Sequence, residues 1–152
     1  MVYVECKADF TLVESITEIP KKEIIHEGGK SEVCKKLEKK KNCKGLVDED
    51  PWSVQPPYVK KLGMKEDLSS YDLKILHDNS NKNALIVLCP RLEEWVLKAA
   101  KEVNVDMKQY DLPKEPSKLH AIININLDKF ERLIESLKQR SNRLKALKKL
   151  LR

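Results

Sequence analysis

Asp48 and Asp50 flank Glu49 at the end of a short apolar run, Gly45-Leu46-Val47, and Pro51 follows at once. If Leu46 and Val47 lie in a strand, the two-residue period of a strand turns both aspartates to one side at its carboxyl end. Two carboxylates held that close repel unless a cation or a proton stands between them. Mg²⁺ suits such a pair, because it takes one or two carboxylates and keeps water and substrate phosphates as its other ligands. An acidic turn that caps a helix or leads into Pro51 has the same spacing and no chemistry. Glu5 stands in a matching place, between the strand-like Val2-Tyr3-Val4 and a helix carrying Asp9, Phe10, Leu12, Val13 and Ile16. In open α/β sheets the carboxyl ends of neighbouring strands border a ligand crevice, so Glu5, Asp48 and Asp50 can meet there despite their separation in sequence. Taken alone, Glu5 also suits a helix N-terminus, where the dipole favours an acid.

The elements that would position these acids alternate along the chain. A second strand is expected at Glu23-Ile24-Ile25-His26, then a turn at Glu27-Gly28-Gly29, then a helix from Ser31 to Lys40 with Val33, Cys34 and Leu37 inward. The third strand precedes Asp48. Pro51, Pro56 and Pro57 exclude a central strand or a long helix from the next stretch. Leu73-Lys74-Ile75-Leu76 and the nearly continuous apolar run Asn83–Cys89 read as further strands, the second of them central. Such alternation predicts an α/β fold with a mainly parallel sheet flanked by helices. Residues 1–112 form the α/β unit in this reading, and residues 113–152 a basic C-terminal helical segment packed on it.

Val4-Glu5-Cys6-Lys7-Ala8-Asp9, Gly28-Gly29-Lys30 before a helix, and Gly45-Leu46-Val47-Asp48-Glu49-Asp50 together resemble the Toprim domain. That domain occurs in primases, type IA and type II topoisomerases, small RNA-processing nucleases and the overcoming-lysogenization-defect nucleases. The likeness runs over roughly the first 90 residues and rests on several short blocks. It implies a Rossmann-like sheet, Mg²⁺ (or Mn²⁺) held by Asp48 and Asp50, and Glu5 as general acid, base or further ligand. Some Toprim-like nucleases carry another acid after a later strand, which makes Glu93 or Glu94 a candidate ligand, with Glu94 preferred. The family usually has Gly directly after the glutamate, where this chain has Cys6.

Gly29-Lys30-Ser31 is not a nucleotide-binding phosphate loop, because Ile24 stands where that pattern requires its first Gly. Lys30 at a helix N-terminus can instead meet a nucleic-acid phosphate, or simply be a solvated lysine beside a tight turn. Trp95 has the spacing of a core residue. At the other end of the chain, Phe130, Leu137, Leu144 and Leu151 recur every seven residues with Leu133 and Leu147 in support, as one long helix or two broken near Ser141-Asn142. This stripe must pack on the sheet or pair with a second copy of the chain. Beyond Glu135 every charge is positive, and Arg143, Lys145, Lys148 and Lys149 are candidate contacts to DNA or RNA phosphates, or a solvated helix face.

The net charge of +6 therefore gathers in the tail. Charged residues at 36% and hydrophobic residues at 41% match a folded chain rather than a disordered one. Abundant Lys, Glu and Ile with little Gln resembles the composition of hyperthermophile proteins. Four cysteines without a Cys-x-x-Cys pair read as buried thiols, against a zinc site near His26 or a disulfide. The chain has neither a signal-like N-terminus nor an apolar run long enough for a membrane span, which predicts a cytoplasmic protein without membrane contact. A chain of 152 residues leaves little room for the tyrosine-bearing domain of a topoisomerase or the helper domains of a primase. The expectation is a metal-dependent nuclease or nucleic-acid-processing protein, with a non-catalytic nucleic-acid-binding or assembly module as the alternative.

Overall fold

The computed structural model describes residues 1–152, the side chain of Lys65 apart. Its centre is a six-stranded sheet in the order β2-β1-β3-β6-β5-β4. The strands are β1 (Val2–Val4), β2 (Ile24–His26), β3 (Lys44–Asp48), β4 (Gly63–Leu68), β5 (Leu73–Asp78) and β6 (Asn83–Leu88). β2, β1, β3 and β6 run parallel, while β5 and β4 pair antiparallel beyond β6. The fold is a Rossmann-like α/β arrangement with a mostly parallel, mixed sheet.

The helices are α1 (Lys7–Ile16), α2 (Lys30–Lys39), α3 (Pro57–Lys61), α4 (Leu92–Glu102), α5 (Pro116–Ile123), α6 (Leu127–Leu137) and α7 (Asn142–Leu151). Alternation along each strand divides their packing. Val2, Val4, Leu46, Ile86 and Leu88 face α1, α4 and the C-terminal helices; Tyr3, Val47, Leu85 and Val87 face α2 and α3. β1 and β6 bury both faces, which is why they read as continuous apolar runs. Gly45 lets α2 lie close on β3, since a Cβ there would fall 2.9 Å from Leu37 Cδ1 and 3.0 Å from Val33 Cγ1.

The heptad stripe is two helices, with Ser141 Oγ accepting the Leu144 N–H at the start of α7. Phe130, Leu133, Leu137, Leu144, Leu147 and Leu151 are all buried in the same core as α1 and α4. The stripe thus closes on its own chain, and the apolar face considered for a homodimer is covered. Among the described residues, no helix is long and apolar enough to cross a membrane.

The antiparallel edge departs from the sequence reading. β4, Gly-Met-Lys-Glu-Asp-Leu, has no apolar alternation and was not expected; as an edge strand it needs only one hydrogen-bonded neighbour and little burial. β5 is reached from β4 through a turn at Ser69–Tyr71 and joined to β6 by residues 79–82. A connection that short permits only an antiparallel pair, because a parallel one needs a long crossover.

Candidate functional site

β1 pairs Val4 with Leu46 of β3, so Glu5 leaves the sheet beside the carboxyl end of β3. Glu5 Oε2 accepts the backbone N–H of Asp48 at 2.6 Å. Asp48 in turn lies opposite Leu88, the last residue of β6, and its Oδ1 accepts the Leu92 N–H at 3.0 Å. Leu92 opens α4, and Glu5 precedes α1 by two residues. The acids are therefore gathered at two helix N-termini, whose unpaired amides favour negative charge.

Glu49 turns the other way and meets Lys74 at 2.5 Å. Strand-like alternation persists past Asp48 because Glu49 N–H bonds Leu88 O at 2.8 Å and Asp50 N–H bonds Pro90 O at 3.0 Å. Asp50 then takes a left-handed conformation, φ 44°, and ends the ladder. Its charge still bears on both Glu5 and Asp48.

Two further acids join them. Asp9 is buried in the first turn of α1, where Oδ2 accepts from Cys6 N–H and Cys6 Sγ at 3.3 Å each. Glu93, buried on α4, brings Oε1 within 2.6 Å of His120 Nδ1. The remaining oxygens, Asp9 Oδ1 and Glu93 Oε2, are buried without a hydrogen-bond partner. Cys6 caps α1 with φ −143°, an extended conformation that needs no glycine, so its presence after Glu5 costs the turn nothing.

Burial pushes the Asp48 carboxyl up to about 9, with Asp9, Glu5, Glu93 and Asp50 adding like charge. Burial and then Glu5 raise Asp9 to about 8. Glu5 is raised as well, chiefly by burial, although the Asp48 amide and Lys30 pull it back. Without a cation the cluster keeps protons at neutral pH. Unpartnered buried carboxylate oxygens are hard donors, so the residues present fit Mg²⁺ or Mn²⁺. Among the described residues, no group of three or more His, Cys, Asp or Glu is placed so as to hold a metal ion. The acids form a cluster at the strand ends rather than a finished cage.

Glu94, the preferred candidate, is paired elsewhere. Arg91 grips Glu94, with Nε 3.1 Å from both carboxylate oxygens and Nη2 on Oε1, and lies over Trp52 at 5.2 Å. Helical spacing could have found this: Glu93 shares an inward stripe with buried Val96 and Ala100, whereas Glu94 precedes Lys98 by one turn on the outer side. Asp9 also had a signal, since the N3 position of a helix beginning after Cys6 points back toward Glu5. Nothing in the sequence paired His120 with Glu93.

Lys30 opens α2 beside the crevice, but its Nζ donates to Glu49 O at 2.8 Å and Gln55 Oε1 at 2.6 Å. It ties down the loop that follows Asp50. Arg143, expected on a phosphate-binding face, is buried instead, with Nε on Glu102 and Nη1 on Asp72 at 2.7 Å each. Lys145 and Lys149 face solvent, and Lys148 is half-buried. These lysines spread along α7: Lys145 and Lys148 flank residues 15–18 at the end of α1, all three border Leu68 and Tyr71 beside the antiparallel edge, and Lys44, which opens β3, donates to the carbonyl of Arg152. All four cysteines are free thiols, and Trp95 is core, its Nε1 donating to Tyr71 O at 2.8 Å.

Comparison with known proteins found no family model, no curated protein and no solved structure that matches this chain.

Proposed function

We propose that the chain is a Toprim-like hydrolase that uses Mg²⁺ or Mn²⁺ to cleave phosphodiester bonds in DNA or RNA. One observation carries this reading: Glu5, Asp9, Asp48 and Glu93 converge at one end of the parallel strands, with two buried carboxylate oxygens lacking any partner. Burying several acids against one another destabilises a fold, so a protein that keeps them has a use for them. The order of Glu5, Gly28-Gly29-Lys30 and Asp48-Glu49-Asp50 along the chain supports the Toprim-like part of the proposal.

Asp48, Asp50 and Glu5 would hold the ion, with Glu93 as a further oxygen donor and Asp9 behind them. A bound divalent cation supplies charge neutralisation at the phosphoryl oxygens and orientation of the attacking water. The chain's own groups do the rest. The Leu92 amide fixes the Asp48 carboxylate, and the Asp48 amide fixes Glu5. Burial raises the Glu5 carboxyl above its ordinary range, the direction an acid or base in this position requires. Lys30 and Gln55 hold the loop beyond Asp50 in one shape.

Incubating the chain with single-stranded and duplex DNA and RNA, with Mg²⁺ or Mn²⁺, tests the proposal. The wild type should cleave at least one of them, and Asp48→Asn, which keeps an oxygen for the Leu92 amide, should lose at least ~100-fold, as expected when several kcal/mol of charge stabilisation disappear. Glu5→Gln should fall similarly. Equal cleavage by all three would place the activity elsewhere. No cleavage by the wild type would favour a non-catalytic nucleic-acid-binding module.

A further inference from the structure

α5 belongs to the C-terminal helical segment, yet it delivers two polar side chains to the acid crevice. His120 and Asn124 stand one helical turn apart, while Leu119 and Ile123 bury the other side of the helix completely. His120 Nδ1 is 2.6 Å from Glu93 Oε1 on α4. Asn124 Oδ1 accepts the Ala8 N–H at 3.2 Å, in the first turn of α1 and next to Asp9. One helix face therefore touches the N-termini of both helices that carry the buried acids.

The two partners of the first contact are unlike. Glu93 is buried with its side chain 3% exposed, and the His120 side chain is 64% exposed. A ring so open contributes little to the core. When Glu93 is ionised it only accepts, and the Nδ1 facing it then carries the hydrogen. The other oxygen of Glu93, Oε2, is buried without a partner, and the charge of Glu93 bears on Glu5, Asp9 and Asp48. Carboxylate ligands of metal sites are commonly held by such an outer hydrogen bond, whose loss typically lowers metal affinity.

We propose that His120, assisted by Asn124, is a positioning residue that holds Glu93 in the crevice as an oxygen donor to a divalent cation. The inference rests on reading the crevice as a cation site, and it assigns the C-terminal segment a part in that site. It makes no use of the basic face of α7.

Mn²⁺ alone is the probe, titrated into the full chain and followed by calorimetry and by the electron paramagnetic resonance of free Mn²⁺. His120→Ala should weaken binding about 10- to 100-fold, with thermal unfolding little changed. His120→Asn, whose amide can donate to Glu93, should recover most of the affinity. Glu93→Gln should bind as weakly as His120→Ala, and adding His120→Ala to Glu93→Gln should cost nothing more, because His120 acts only through Glu93. Wild-type affinity in His120→Ala, or a full further loss in the double variant, would overturn the proposal. So would equal Mn²⁺ binding by the wild type and Glu93→Gln. If the wild type binds Mn²⁺ with these differences but cleaves no nucleic acid, the hydrolase reading falls and the role of His120 stands.

Discussion

The acid cluster and the basic face of α7 are held by different physics: the acids gather at the carboxyl ends of the parallel strands, while α7 runs along the protein from Asp72, beside that end, to Arg152 near the start of β3. At the carboxyl ends of the parallel strands, Asp9 and Glu93 are almost wholly buried and Asp48 is held by a backbone amide, against strong mutual repulsion. On α7, Lys145 and Lys149 stand in water. Buried like charges need a reason to persist, whereas solvated lysines cost almost nothing and are common on any helix. The lesson is that the crevice is the better evidence for chemistry, although the tail is the more conspicuous feature of the sequence.

Arg143 marks the boundary between the two regions and offers the largest effect on stability. It lies on α7 with the lysines, yet it binds Asp72 and Glu102 from a buried position. Arg143→Met keeps the stem and strands both acids. Because Asp72 and Glu102 are partly in water, the expected loss is ~1–3 kcal/mol rather than that of a fully buried pair. Thermal unfolding should then move down by about 2–4 °C for each kcal/mol. A variant as stable as the wild type would put Arg143 back among the surface cations.

The pH dependence of the metal-free protein sharpens the comparison from the crevice side. Asp9 and Asp48 titrate higher in the folded chain, at about 8 and about 9, than the value near 4 expected when unfolded. The folded state therefore binds these protons more tightly, and its stability falls as pH rises from about 4 through the folded values. Melting temperatures measured from pH 5 to 9 should decline, and the decline should be smaller in Asp48→Asn. That variant should gain a few degrees over the wild type at pH 8.5 and little at pH 5, and saturating Mg²⁺ should close the gap. A difference that does not grow with pH would mean that the carboxylates are not repelling one another.

The smallest effect belongs to the basic face of α7. Changing Lys145, Lys148 and Lys149 to Gln should leave both melting and Mn²⁺ binding unchanged. If these lysines contact duplex phosphates, the slope of log affinity against log salt should flatten by about 0.9 for each lost contact. An unchanged slope would leave α7 a solvated face, and the comparison would then rest on the crevice alone.

Much of this arrangement was legible in the chain. The apolar runs at Val2–Val4, Leu46–Val47 and Leu85–Leu88 become strands where expected, the seven-residue repeat becomes two packed helices, and Glu5 and Asp48 meet at one end of the sheet. These features depend on local periodicity, and periodicity is written in sequence. The loop at residues 79–82 was short enough to announce an antiparallel turn, and the inward stripe of α4 was enough to choose Glu93 over Glu94. β4 carries no such signal, because an edge strand needs a neighbour more than it needs a pattern.

What the sequence by itself determined is the alternating elements and the acids at their ends. Only the tertiary structure decided which charges face one another: Asp9 and Glu93 turned into the crevice, Arg143 sealed between Asp72 and Glu102, and His120 brought to Glu93 from 27 residues away. A helix presents charged residues on its surface at little cost, so its sequence does not say which neighbour will meet them. That choice is made by packing, when burial fixes the helix rotation and low dielectric makes each remaining partner matter.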